Sequence, residues 1–307
     1  MRARWAALLG ALVLLAGACG GGAEEDAGPA RYGNSDGAAP RGTAPAGGDG
    51  GSAPATTRGS GDPDGGGGSG AGRSATTTAG RTGGAGSGGS AGKPVTVSGP
   101  PGSYARSLLR ASQGGTIVLD VLAHAGAELR DGSLEHVVRV LERESAKPVS
   151  LTVTEIPGAE TQWTADEITS TADDRGTARA TSDRHVVHLL AVHGRYEAPG
   201  TLGVAVRGDV AAVFTDEVDR SATPLVPAAT IEEAVTTHEI GHLLGLVDLA
   251  LDTNRGDPDH PGHSKNRSSV MYWAIESNLV AQVLGGPPPI DFDDDDRADL
   301  ARLRSGA

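Results

Sequence analysis

From residue 95 onward, the spacing of apolar positions marks out a series of elements. Residues 116–123 form an apolar run broken only by Asp120, the pattern of a strand covered on both faces. Residues 133–146 place Leu134, Val137, Val138 and Leu141 on one helical face. Residues 149–156 alternate and predict a second strand, and residues 185–192 a third. Residues 202–206 and 210–214 predict short strands joined in a hairpin at Arg207, Gly208 and Asp209. The polar stretch 162–182 predicts no element.

A second helix is expected from Thr230. Thr230 followed by Glu233 is a capping-box pattern, and Gly245 is a natural stop. Ile231, Val235, His238 and His242 line one side, while Ile240, Leu243, Leu244 and Val247 line the other. The order of strands and helices implies an α/β (α+β) fold: a mixed, mostly parallel twisted sheet with this helix packed under it. Leu300 and Leu303 are expected to dock a last helix on the domain.

The first 94 residues read differently. Arg2 and Arg4 precede an apolar run, residues 5–18, that is too short to span a bilayer. The run ends in Leu15, Ala16, Gly17, Ala18 and Cys19, which resembles the bacterial lipobox. That resemblance implies cleavage before Cys19 and lipid attachment to its thiol, with residues 1–18 as the signal peptide. Cys19 is the single cysteine of the chain, so it can form no disulfide within it. An ordinary signal peptide is the other reading of the segment. Either way the chain is expected to leave the cytoplasm, lipid-anchored at the bacterial cell envelope or extracellular without the anchor.

Residues 19–94 are low in complexity, rich in Gly, Ala, Ser, Thr and Pro. Such a segment buries too little apolar surface to offset its ordering entropy and is expected to be a disordered tether. A coil of about 75 residues has a span on the order of 50 Å. The folded domain is therefore expected over residues 95–307. Net charge is −13, which argues against a nucleic-acid partner.

The chemistry concentrates on the expected second helix. His238, Glu239 and His242 form His-Glu-x-x-His. Two His at i and i+4 lie one turn apart on the same face, so both imidazoles reach one metal ion, with Glu239 beside them to act on a bound water. A catalytic zinc needs a third protein ligand and keeps one open position. Asp248 and His263 are the main candidates, with His260 and Glu276 behind them.

With Gly245 and the downstream Met271, these residues resemble the metzincin zinc endopeptidases. In that family a third ligand follows the Gly by three residues, and the snapalysin-like members have Asp there, as this chain has Asp248. The stretch from His263 to Met271 and Tyr272 instead resembles the matrixin pattern, in which Met-Tyr begins eight residues after the third His. The resemblance covers about 35 residues of the chain. It implies a metzincin with residues 248–262 inserted, and His263 is favoured as third ligand over Asp248. It further implies a catalytic Zn2+, Glu239 as general base, Met271 as the Met-turn floor, and peptide pairing along the strand at residues 202–206. The gluzincin alternative would use Glu276 as third ligand. A binding module for peptide or matrix, with a structural zinc, is the non-catalytic alternative. The expected partners are a protein or peptide substrate and a membrane at Cys19, with the chain a monomer.

Other polar residues receive structural readings. His185 and His193 share one strand face, with His188 on the other, as half-buried sheet residues. Tyr272 reads as packing. The acidic run 291–296 reads as complementing the dipole of the last helix, with Ca2+ as the competing reading.

Overall fold

The computed structural model describes residues 92–158 and 161–306. The expected signal peptide, the tether up to residue 91, and Cys19 lie outside the described residues. No helix among the described residues is long and apolar enough to cross a membrane.

Five strands form the main sheet: β1 (Thr116–His124), β2 (Val149–Ile156), β4 (Arg184–Val192), β6 (Gly203–Arg207) and β7 (Val210–Phe214), in the order β2-β1-β4-β7-β6. The pairs β1–β2, β1–β4 and β4–β7 are parallel, and β6 pairs antiparallel with β7 across the expected hairpin. The fold is thus α/β with a mixed, mostly parallel sheet. A second, two-stranded sheet joins β3 (Gln162–Trp163) to β5 (Arg195–Tyr196).

The central strands are apolar on both faces because both are covered. Ile117, Leu119, Val121, Val187, Leu189, Ala211 and Val213 face α2 (Asp131–Ser145) and α5 (Ala228–Leu243). Leu190, Val192, Val210, Ala212 and Phe214 face α3 (Ala165–Arg175). Helix α3 lies in the stretch for which the sequence predicted no element. Only Ile168 and Ala172 are buried on it, and a Thr164–Glu167 capping box starts it. Two buried apolar side chains are too sparse to show a helical period.

Helix α5 differs from its expectation in two ways. It begins at Ala228, with Pro227 at the N-cap and no side-chain cap, so Thr230 and Glu233 form no capping box. It is also buried all round from Ile231 to Leu243, apart from a half-buried Glu233, rather than along two separate stripes. Helices α2 and α4 (Thr215–Ser221) flank it, and β6 and β7 lie against it. Enclosure on all sides explains why even Glu232 is inside, held by Arg130, whose guanidinium also reaches Asp219 at 2.7 Å. The helix ends at Leu243, and Gly245 follows at φ +82°, where a side chain would press on Ala105 and Ala250.

The last helix, α7 (Asp294–Ser305), follows the short helices α1 (Ala105–Leu109) and α6 (Val280–Leu284) in chain order. Asp293 and Asp296 form its capping box, and Leu300 and Leu303 are buried.

Candidate metal centre

His238 and His242 lie one turn apart on α5, fully enclosed by the fold. Their Nε2 atoms are 3.0 Å apart. The Nδ1 of His238 donates to the Val270 carbonyl at 2.7 Å. That bond leaves Nε2 as the lone-pair nitrogen and turns it inward. The carbonyl comes from the segment ending at Met271, whose side chain is wholly buried. Met271 lies against Gly241, where any Cβ would run into its sulfur, and Phe292 would be 3.0 Å away. A glycine on the helix thus lets Met271 sit close beneath the two His.

His263 reaches the site through a loop that folds back on itself. Asp248, at φ 66°, accepts from Thr253 N at 2.7 Å, Thr253 Oγ1 at 2.5 Å and Gly256 N at 3.1 Å. Gly256 then bridges Ser264, whose N–H donates to the Met271 carbonyl at 2.8 Å. The residue before that anchor is His263. Its ring lies 5.2 Å from that of His238 and 5.1 Å from that of His242. Asp248 therefore shapes the inserted loop and lies outside the cluster. His260, the weaker candidate, also stays outside: it stacks on Trp273 at 4.5 Å and bonds Asp257 at 2.9 Å.

The fourth member is Glu276, at the end of a 3-10 turn spanning Trp273–Glu276. Its Oε1 is 3.2 Å from His263 Nε2, and its Oε2 is 3.7 Å from His238 Nε2. Ligand atoms of His238, His242, His263 and Glu276 all lie within 4.8 Å of one another. The sequence offered Glu276 only as a weak alternative, because no spacing rule links it to the helix.

Glu239 is fully buried, and its carboxylate faces the backbone of Ala205 on β6 with no side-chain hydrogen bond among the described residues. Burial, and then the charge of Glu276, push its pKa well above the usual carboxylate range. Strand β6 passes directly over it: a Cβ on Gly203 would stand 2.7 Å from Glu239 Oε1 and 2.6 Å from Val235. Gly203 is a site-shaping residue that the sequence reading overlooked, because only the fold brings this strand-opening glycine against the His-Glu-x-x-His helix.

The electrostatics suit a cation. Burial, reinforced by His238 and His263, drives His242 well below the ordinary imidazole value, so it is neutral. Burial would raise Glu276, yet the His263 and His238 imidazoles bring it well below its usual range. Burial works against charge on His263, but Glu276 beside it lifts its pKa. Three imidazoles and a carboxylate thus bring their ligand atoms within 4.8 Å of one another. A divalent metal fits that donor set.

Three histidines of and beside β4 find partners outside the cluster. His185 accepts from Tyr104 Oη at 3.1 Å and donates to the Gly114 carbonyl at 3.2 Å. His188 lies 3.2 Å from Asp120, and His193, just beyond its strand, pairs with Asp216 at 3.0 Å. His185 and His188 are fully rather than half buried. Tyr272 packs at the edge of the core, 5.7 Å from Trp273.

No protein-family model and no curated protein matches the chain. Among solved structures, it is similar to archaemetzincin from Archaeoglobus fulgidus complexed with malonate, at 18% identity. That likeness covers 60% of this chain and 99% of the other, with a TM-score of 0.35.

Proposed function

We propose that the chain is an exported zinc-dependent endopeptidase, with His238, His242 and His263 holding the metal and Glu239 as general base. The observation that carries this reading is the convergence of three buried imidazoles beside a fully buried carboxylate. A metal-binding module has no use for Glu239, and burying a carboxyl group without its full set of hydrogen bonds costs about 1–3 kcal/mol.

A zinc ion held by His238, His242 and His263 would lower the pKa of a water molecule and polarise a carbonyl. Glu239 takes the proton of the attacking water and returns it to the leaving nitrogen. Val270 fixes the ring of His238 through its carbonyl. Gly203 brings the edge strand β6 over Glu239, so a peptide extending the sheet along β6 would lay its backbone across the site.

In this reading Cys19 carries the lipid, residues 19–94 tether the domain, and the enzyme works as a monomer on protein or peptide at the bacterial cell envelope. Nucleic acid has no place in it.

The test is Glu239→Gln in the full chain, with metal content and casein cleavage measured together. The expected result is one zinc per chain in both proteins and cleavage only in the wild type. Full metal-dependent cleavage by the variant would sink the mechanism.

One observation favours a second reading, a non-catalytic domain with a structural zinc. Counting Glu276, the cluster offers four protein donors, which is the complement of a closed structural site. Zinc without cleavage of any peptide by the wild type would select it.

A further inference from the structure

We infer that Glu276 is a displaceable fourth ligand, which closes the metal site at rest and leaves it when a peptide strand occupies the edge of β6. This rests on the endopeptidase reading and assigns that site a resting state.

The donor count comes first. With the Glu276 oxygens 3.2 Å and 3.7 Å from two of the three imidazoles, the cluster is a complete four-donor set. A catalytic zinc keeps one position open, so a chain that cleaves peptides has to withdraw one donor. The three His cannot be the ones to leave. His238 and His242 are fixed on a fully buried helix, and His263 is fixed by the Ser264 anchor to Met271.

Glu276 is placed to move. Its side chain is 30% exposed, against 0% for His238 and 9% for His263. Its way out is solvent, and its departure uncovers no core.

The backbone around Glu276 gives the trigger. The Glu276 carbonyl accepts from Leu202 N at 2.7 Å, Ser277 bridges Thr201, and Asn278 N donates to Gly200 O at 2.8 Å. The segment carrying the carboxylate is therefore paired with the residues that lead into β6. Past that pairing, β6 has β7 on one side and, among the described residues, no strand on the other. A peptide adding to this open edge runs into residues 276–278 and competes for the same backbone groups. Peeling the segment back draws Glu276 off the cluster and frees the position beside Glu239 that the reaction needs.

The experiment compares full-length wild type, Glu276→Ala and Glu276→Gln. Zinc affinity is measured by competition with a chromophoric chelator. The visible spectrum of the cobalt(II) forms is recorded during titration with azide. Glu276→Ala should lose about tenfold or more in zinc affinity, at least the loss expected for a partner of a ligand. Its cobalt spectrum should change, and azide should bind at lower concentration, because an open position has been created. In a Glu239→Gln background, which does not turn over, adding unfolded casein to the cobalt protein should move its spectrum toward that of Glu276→Ala. Where the alanine variant fails to fold, Glu276→Gln keeps the shape and carries the same comparison.

An unchanged spectrum and azide affinity in both variants would overturn the inference, as would lowered zinc affinity with unchanged azide binding, which would make Glu276 a positioning residue for His263. No response to casein would overturn the displacement. A wild type that binds no metal is a different failure and removes the endopeptidase reading itself.

Discussion

Asp120 lies in the middle of β1, on the face toward α3, and its side chain has no exposure. Its carboxylate accepts from Thr177 N and Thr177 Oγ1, both at 2.7 Å, and from Ala178 N at 3.1 Å, with His188 Nδ1 at 3.2 Å. Burial alone would raise its pKa, but the hydrogen bonds from His188, Thr177 and Ala178 outweigh it and lower the value from 3.8 to about 2. At 1.36 kcal/mol per pKa unit, the ionised form contributes about 2.4 kcal/mol to stability. The sign follows from the depressed pKa. The contribution is complete above the unfolded value of 3.8 and fades as pH falls toward 2. Roughly half is gone at pH 3. Asp120→Asn preserves the shape, removes the charge and sets an amide against donors. It should cost about 2–4 kcal/mol at pH 6. The assay is urea unfolding followed by tryptophan fluorescence between pH 6 and pH 3. Other carboxylates titrate in the same range, so the difference between the two proteins is the quantity to follow. That difference should narrow by about 1 kcal/mol across the range. Two stability curves that stay parallel down to pH 3 would refute the reasoning, because the charge of Asp120 would then not be what the site stabilises.

Three further outcomes are expected. Asp296 is raised to about 7, first by burial and then by Asp293; its folded value exceeds its unfolded one, so it weakens the fold as pH climbs from about 4 to 7, and Asp296→Asn should gain up to about 4 kcal/mol on the wild type across that span by urea unfolding. Gly241→Ala should drive Met271 out of its seat and cost about 1–3 kcal/mol, with a weaker hold on zinc read by chelator competition. His263→Ala should lower zinc affinity about tenfold or more, whereas Asp248→Ala should keep one zinc per chain and instead raise proteolytic nicking of the 249–262 loop.

The strands were legible because both faces of the sheet are covered, which leaves mostly apolar runs at β1, β4 and β7, broken at Asp120, His185 and His188. Helix α3 was not, because a helix lying alone on one sheet face needs few apolar positions, and its other contacts are polar. Asp120 and the loop at Thr177 are an example: the bond that ties the end of α3 to the sheet joins residues 57 apart. The start of α5 was misread for a related reason. Thr230 and Glu233 have the letters of a capping box, but enclosure by α2, α4 and the sheet decided where the helix begins.

The metal-centre residues divide along the same line. His238, Glu239 and His242 were visible because helical period alone brings them together. His263 was visible only by its spacing to Met271, and the structure supplies the physics: the Ser264–Met271 hydrogen bond fixes the two segments in register. Asp248 matched a family position by count, yet the left-handed backbone at Val247 and Asp248 turns the chain into a loop that consumes its carboxylate. Glu276 had only the weak signal of a carboxylate downstream of the motif, since its place depends on pairing between residues 200–202 and 276–278, two segments that carry no pattern of their own. The donor that closes the cluster is thus the one held by tertiary pairing rather than by a motif. Three donors are built into α5 and the anchored loop, where moving them would dismantle the core. The fourth hangs on a few backbone hydrogen bonds at an open sheet edge, where an extended peptide offers the same bonds in exchange.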